Sequence, residues 1–309
     1  MLSSPRTLVA VTALTAVLAT AAAAQVPLEF KIPEGERTVL NTVKSVQTLT
    51  VGPIDVPLES EVQARTRLIG GKPGADGTQR VEEKSERFAI KLSIPGGGVE
   101  FDYDKPDAAR VDQATFQPVV DGLQVLQGNS YTLVFRNGKI ADVEGLDAII
   151  QKLPAASAPL FKDELSPKTI MRDWAQQIAS LPGKAVKKGD SWQRTEVIGL
   201  GGGQTLTFDT VYEYQGTVEK AGRTLDKVSI VLTGVKYTAS AGAFGGLTVA
   251  DSKLMIEHAL GHYLFDREKG EILERILNTR VSGLLTLEVN GMQVGGNVDL
   301  TLDMRTTVK

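Results

Sequence analysis

The chain has 309 residues, and its 34 Lys and Arg face 37 Asp and Glu, which gives a formal net charge of −3 at pH 7. This mild acidity argues against nucleic acid or an anionic membrane surface as a partner, because both favour basic patches. The absence of cysteine excludes a disulfide framework, a thiol nucleophile and a thiolate metal site. Abundant Gly, Val and Thr with only 6% aromatic residues predict a β-dominated globular protein.

The first 24 residues are typical of a secretory signal peptide. Arg6 precedes the apolar run Leu8–Leu18, and the small residues Ala21–Ala24 follow. That order predicts cleavage near Ala24 and export to the periplasm or the extracellular space. The run is shorter than the roughly 20 apolar residues of a membrane-spanning helix. No later stretch approaches that length, so we expect no transmembrane segment in the mature chain.

Strands are predicted along most of the remaining chain from alternation and β-forming composition. The clearest alternation is at the C-terminus, where Val298, Leu300 and Leu302 are separated by polar residues. Hairpin turns are predicted at Asn137-Gly138 and Asn290-Gly291. The predicted strands are Thr38–Val51, Glu59–Ile69, Gln79–Ile94, Gly98–Tyr103, Tyr131–Phe135, Lys139–Val143, Ser191–Val197, Gln204–Val218, Lys227–Tyr237, Leu254–Phe265, Glu271–Leu277, Thr279–Val289 and a last strand around Thr301.

Helices are predicted in the middle of the chain. Apolar residues recur at helical spacing from Leu146 to Leu153, before Pro154. Ser166 and Pro167 have the pattern of an N-cap followed by proline in the first turn. The segment Asp112–Leu126 has a weaker pattern, because Pro118 interrupts it unless it lies in the first turn. The helix after Ser166 carries an apolar stripe formed by Ile170, Met171, Trp174 and Ile178.

These elements predict a β-dominated α+β fold, in which one or more large curved antiparallel sheets pack with two or three helices. We expect residues 25–309 to form a single domain after the signal peptide. Tyr131, Gly138 and Ile140 recur as Tyr263, Gly270 and Ile272 at a constant offset, so two duplicated halves, 25–160 and 161–309, are an alternative description.

Motifs of catalytic chemistry are weak in this chain. His258 and His262 would lie about 13 Å apart on one strand, which is too far to share a metal ion. The glycine runs Gly199–Gly203 and Gly242–Gly246 lack the lysine or helix of a phosphate loop, so we interpret them as hairpin connections. Three carboxylates at 102, 104 and 107 miss the calcium-loop register. We therefore predict no catalytic residues, no metal site and no cofactor.

Turn-and-strand motifs in the second half resemble a known family. They are Leu181–Trp192 (LPGKAVKKGDSW), Tyr212–Gly216, Gly261–Asp266 and Gly270–Ile272, with Tyr131–Val143 upstream. With these motifs the chain resembles the DUF6263 family, exported uncharacterised bacterial proteins common in planctomycetes. The resemblance implies an exported location and supports the fold, but it implies no catalytic residues.

Three functions remain open from the sequence. The first is a non-enzymatic envelope or periplasmic protein that binds a hydrophobic ligand, such as a lipid, in a sheet–helix cavity. Ile170, Met171, Trp174 and Ile178 would then be the ligand-binding residues, although the same stripe could simply fill the core. The second is an extracellular carboxylate-dependent hydrolase. The third is an envelope scaffold whose exposed strand edges, at Thr38–Val51 or Thr301–Val308, accept a partner strand.

Overall fold

A computed structural model describes residues 25–201, 203–239, 248–289 and 291–309. The predicted signal peptide, the glycine run 242–246 and Asn290 of the second predicted hairpin turn lie outside the described residues. The described part forms thirteen strands and four α-helices. The strands are β1 (Gly35–Val51), β2 (Ile54–Gly70), β3 (Thr78–Ile94), β4 (Gly97–Asp102), β5 (Arg110–Val111), β6 (Ser130–Arg136), β7 (Lys139–Glu144), β8 (Ser191–Gly201), β9 (Gln204–Lys220), β10 (Arg223–Ala239), β11 (Thr248–Asp266), β12 (Glu271–Val289) and β13 (Met292–Val308). The helices are α1 (Gln117–Leu126), α2 (Leu146–Ile150), α3 (Ala158–Phe161) and α4 (Pro167–Ala179).

All thirteen strands belong to one antiparallel sheet, which confirms the predicted fold class. The order is β5-β4-β3-β2-β1-β13-β12-β11-β10-β9-β8, and β6 and β7 branch from β3. The first long strand, β1, and the last strand, β13, pair with each other from Val39↔Val308 to Val51↔Gly296. The prediction that these two strands offer free edges is therefore wrong, because both lie in the middle of the sheet.

One face of the sheet carries most of the core, and we call it the inner face. In β13 the predicted alternation is present, since Val298, Leu300 and Leu302 are at most 2% exposed. Leu49 of β1 and Leu206 of β9 belong to the same buried cluster although four strands separate them in the sheet. Helix α4 hydrogen-bonds to both Glu83 of β3 and Val197 of β8, which seven strands separate in the sheet, so the sheet must bend strongly toward its inner face. Strands β10 and β11 pair only at residues 226–230 and 261–265.

The helices pack mainly on the inner face of β2, β3, β4, β6 and β7. Ser166 accepts a hydrogen bond from the backbone N–H of Thr169 and begins α4 as predicted. Pro118 lies in the first turn of α1, where its missing N–H removes no helical hydrogen bond. None of the helices in the described residues has the length and apolar character needed to cross a membrane.

Several element boundaries differ from the sequence-based expectation, and strands β2, β10 and β11 each begin four to six residues earlier than predicted. Strand β12 runs without interruption from Glu271 to Val289, whereas two separate strands were predicted. Asn278, between the two predicted strands, pairs with Asp303 of β13 and with Leu260 of β11, so the sheet supports it on both sides. Helix α2 ends at Ile150, one turn earlier than the apolar spacing suggested.

Candidate functional site

A cavity of about 420 Å³ lies between α4 and the inner face of the sheet. Its walls come from β1, β2, β3, β8, β12 and β13, from α4, and from the extended segment 25–34. That segment is held in place by the bridge between Val26 and Val186 and by a hydrogen bond from the Lys31 N–H to the Gly270 carbonyl. The apolar wall includes Phe30, Leu68, Trp174, Leu277 and Met304. Its volume lies within the range of small-molecule sites.

Helix α4 is fixed over this cavity at three points. The side-chain amide of Gln176 accepts from the Val197 N–H (2.6 Å) and donates to the Val197 carbonyl (3.2 Å) at the outer edge of β8. The Arg194 guanidinium donates to the carbonyl of Ala179 at the helix end (2.6 Å). The indole N–H of Trp174 donates to Glu83 of β3 (3.3 Å). These contacts hold the helix as a fixed wall of the cavity.

Trp174 sits in an aromatic cluster at one end of the cavity. Its ring packs edge-on against Phe135 (5.8 Å between centroids) and against Phe30 (6.4 Å). Phe135 is fully buried beneath it. Edge-to-face pairs of this kind stabilise the ring positions beyond the burial of their area. The indole therefore has a defined orientation on the cavity wall.

Glu83 lies on the cavity wall beside Trp174. It faces inward because β3 places it opposite Leu68 of β2 and Tyr131 of β6. Burial raises the pKa of the Glu83 carboxyl, and hydrogen bonds from Tyr131 and Trp174 oppose this effect. Burial also raises the pKa of Tyr131 well above its ordinary value, so its hydroxyl stays protonated.

A buried ionic network forms another part of the wall. Arg275 of β12 donates to Glu196 of β8 (2.6 Å) and to the Tyr212 hydroxyl (3.4 Å), and that hydroxyl donates to Glu196. Burial by itself would lower the pKa of Arg275, but Tyr212 and Glu196 together raise it, so the guanidinium stays charged. Tyr212 stacks on Trp192 with ring centroids 5.7 Å apart. The network therefore links the cavity to the core of the second half.

A second ion pair lines the cavity near the start of β12. Arg37 Nε lies 3.4 Å from Glu271 Oε2, and Lys269 Nζ lies 3.6 Å from Glu271 Oε1. Neither Arg37 Nε nor Glu271 Oε1 has a hydrogen-bond partner among the described residues. The Glu271 charge is nevertheless balanced by the two cations.

The four residues of the predicted stripe divide between cavity and core. Trp174 lines the cavity. Ile170 is 8% exposed and belongs to a buried cluster with Leu68 and Phe135, and Met171 and Ile178 pack against that cluster. The structure therefore brings all four together on one helix face, with only Trp174 on the cavity wall.

Sequence reasoning missed the charged residues of the site. They are Arg37, Glu83, Asp173, Glu196, Glu271 and Arg275. The one available signal was positional, because Glu83 falls at an inward position of an alternating strand, between Val81 and Ser85. A charged residue at such a position is unusual unless it is paired or functional.

The two histidines and the acidic turn that the sequence analysis considered as possible metal sites lie among other contacts of the sheet. His258 and His262 both lie on β11, and His262 Nε2 is 3.9 Å from Glu274. Arg87 pairs with Asp102 (2.7 Å) and Asp104 (2.9 Å) in the acidic turn. Within the part of the chain that the structure describes, no group of three or more His, Cys, Asp or Glu is placed to hold a metal ion.

Several solved structures match the chain with low similarity. A lipovitellin structure titled for its lipid–protein interactions matches with a TM-score of 0.42 and 12% identity, over 90% of this chain and 25% of that one. The chain thus spans about a quarter of the lipovitellin chain. The translocator domain of the autotransporter NalP from Neisseria meningitidis matches with a TM-score of 0.18 and 7% identity (88% of each chain). OccK5 from Pseudomonas aeruginosa matches with 0.21 and 8% (89% of this chain, 98% of that one). TM-scores this low do not establish a shared fold.

Comparison of the sequence with protein families gives a match over part of the chain. No curated protein matches the chain significantly. Residues 76–222 match the family described as "Family of unknown function (DUF6263)". This range includes the motifs Tyr131–Val143, Leu181–Trp192 and Tyr212–Gly216, whereas Gly261–Asp266 and Gly270–Ile272, which also carried the resemblance, lie beyond it. The match confirms the resemblance to the DUF6263 family over this part of the chain.

Proposed function

We propose that this chain is an exported, non-enzymatic protein that binds a hydrophobic ligand in the cavity beneath α4. The cavity of about 420 Å³ is the observation that carries the proposal. Its wall is largely apolar, and transfer of an alkyl group from water to such a wall is favourable by about 0.8 kcal/mol per buried CH₂. A ligand chain would lie between Trp174 and Phe30 on one side and Leu277 and Met304 on the other.

The ion pairs of the cavity favour binding over hydrolysis. Glu196 is bonded to Arg275, and Glu271 lies against Arg37 and Lys269. A carboxylate hydrolase needs an acid and a base that exchange protons with the substrate. Glu196 and Glu271, which neighbouring cations neutralise, are poorly suited to that task, and their ion pairs keep this part of the wall compatible with an apolar ligand.

Export is part of the proposal and depends on the leader sequence alone. The charged start, the short apolar run and Ala21–Ala24 support it. Intact-mass measurement of the protein from its native cells tests it. A mass that matches a chain beginning near Gln25, in the envelope or secreted fraction, is expected. A full-length chain in the cytosol would contradict export.

Ligand binding is tested by native mass spectrometry of gently purified protein, followed by titration with decanol. Trp174 provides an optical signal, since it is one of only two tryptophans and the other, Trp192, is 7% exposed in the core. We expect a co-purifying lipid or saturable decanol binding that changes Trp174 fluorescence, and loss of that change in Trp174→Phe.

A matched pair of variants locates the ligand. Thr66 of β2 lines the cavity, whereas Thr42 of β1 points to the opposite face, since its neighbours Asn41 and Val43 face inward. Thr66→Phe fills the cavity and is expected to weaken decanol binding at least about tenfold, while Thr42→Phe leaves it unchanged. Equal binding by both variants, or no ligand and no saturable binding in the wild type, would refute the proposal.

A further inference from the structure

Among the acids that line the cavity, Glu83 differs from the others in its ionic partners. Glu196 pairs with Arg275, Glu271 with Arg37, and the exposed Asp173 with its neighbour Arg172. Within the described residues, no Lys, Arg or His nitrogen lies at ion-pair distance from the Glu83 carboxyl. The cavity wall therefore holds four carboxyl groups and two guanidinium groups, and both guanidinium groups are already paired with glutamates.

Glu83 lies beside an apolar side chain and two hydrogen-bond donors. Leu68 lies opposite it on β2, and the Trp174 indole donates to it from α4. Tyr131 contributes its hydroxyl from β6. Asp173, on the same helix turn as Trp174, adds negative rather than positive charge. Glu83 is half-buried, and an ionised carboxylate in such a place lacks the cation that would normally compensate its loss of hydration.

We propose that Glu83 binds the ammonium group of a cationic amphiphile, such as a long-chain alkylamine, whose alkyl chain occupies the cavity. This inference rests on the proposed function, because it names the ligand class of the same cavity. A ligand ammonium would be the missing cationic partner of Glu83. An anionic amphiphile would meet more carboxyl groups than free cations and would bind less well.

Binding of such a ligand is coupled to a proton. Because burial raises the pKa of Glu83, the free carboxyl holds its proton over a wider pH range than an ordinary glutamate. An alkylammonium, with a pKa near that of lysine at about 10.4, arrives charged at neutral pH. The carboxyl then loses its proton to solvent and forms an ion pair with the ammonium. Affinity for the amine is expected to rise as the pH rises toward the pKa of Glu83, whereas affinity for an alcohol is not.

The experiment compares decylammonium, decanol and decanoate by isothermal titration calorimetry. The proteins are the wild type, Glu83→Gln, and Glu82→Gln as a matched control. Glutamine keeps the shape of the side chain and an oxygen that accepts from Trp174. Glu82 is the neighbouring glutamate on the opposite face of β3, since it pairs with Thr132 and Ile69 at outward positions. Titrations in buffers with different ionisation enthalpies count the protons released.

We expect the wild type and Glu82→Gln to bind decylammonium at least about tenfold more tightly than decanol, and decanoate most weakly. At pH values below the pKa of Glu83, both proteins are expected to release a proton on binding the amine. Glu83→Gln is expected to lose the amine preference, so that its affinities for decylammonium and decanol become equal, and to lose the proton release. If Glu83→Gln does not fold, proton release and the rise of amine affinity with pH in the wild type decide the question.

Two results would overturn the inference. Equal affinity for amine and alcohol in the wild type, or an amine preference that persists in Glu83→Gln, would show that Glu83 only attaches α4 to the sheet. The proposed function would survive that result. Failure of all three compounds to bind the wild type would instead refute the cavity as a ligand site, and the inference with it.

Discussion

Replacing Arg275 by methionine tests whether the ionic network of the cavity wall is needed for stability. The substitution removes the cation but keeps a flexible apolar side chain of similar length. Glu196 is then left 7% exposed, with the Tyr212 hydroxyl as its remaining partner. Breaking a buried ion pair from one side costs about 3–5 kcal/mol.

The structure places the expected cost at the lower end of that range. The Arg275 side chain is 24% exposed, so its own burial is incomplete, and Tyr212 continues to donate to Glu196. We expect Arg275→Met to lower the free energy of unfolding by about 3 kcal/mol. The double variant Glu196→Gln with Arg275→Met leaves no buried charge, and glutamine can still accept from Tyr212. We expect it to cost about 1 kcal/mol, less than either single change.

A matched control lies on the outer face of the same strand. Arg280 pairs with Asp299 at 2.6 Å, but the two side chains are 55% and 46% exposed. Arg280→Met is therefore expected to lower the free energy of unfolding much less than Arg275→Met does, because solvent screens an exposed pair. Urea unfolding followed by circular dichroism measures the wild type and four variants, namely Arg275→Met, Glu196→Gln, their double variant and Arg280→Met. An unchanged urea dependence shows that the denatured state is comparable. A cost for Arg275→Met as small as that of Arg280→Met, or additive costs in the double variant, would refute the reasoning.

Three further predictions address the helix, the sheet and the tyrosines. Ser166→Ala removes the cap of α4 and is expected to destabilise by about 1 kcal/mol in thermal unfolding, with Ser166→Asp as the retaining control. Gly283→Ala is expected to lower the free energy of unfolding by roughly 1–3 kcal/mol, because φ is +147° and a Cβ would lie 2.2 Å from the Lys253 carbonyl oxygen. The control Gly295→Ala, where a Cβ would meet open space, should unfold like the wild type in the same thermal assay. Burial raises the pKa of all six tyrosines, that of Tyr103 to about 12. The folded state therefore keeps tyrosine protons that the unfolded state loses near pH 10. The free energy of unfolding is expected to be unaffected by the tyrosines below pH 10 and to fall as the pH rises above it. Phenolate absorbance that appears near pH 10 before the protein unfolds would contradict this prediction.

Much of the local structure was predictable from short-range patterns. The alternation in β13 identified both the strand and its buried face, because successive side chains in a strand point to opposite faces. The cap at Ser166 and the apolar stripe containing Trp174 identified α4, because helix capping and helical spacing also depend on residues close together in the sequence. The hairpin at Asn137-Gly138 was also recognisable, since both residues adopt positive φ, +50° and +77°.

The charged wall of the cavity could not be predicted in this way. Glu83 and Arg275 lie at inward positions of β3 and β12. In the sequence alone, they look like interruptions of the apolar alternation of these strands. Their partners are distant in sequence, since Arg275 meets Glu196 from β8 and Glu83 meets Trp174 from α4. Only the strand order and the packing of α4 show which of them is paired.

The sequence by itself determined the class of the fold and the position of most strands, because side-chain alternation and turn residues act within a few neighbouring positions. The tertiary structure alone decided that β1 and β13 meet in the middle of the sheet and that α4 leaves a cavity above it. The reason is physical: pairing and packing between distant segments depend on register and on the bend of the whole sheet, which no local pattern records.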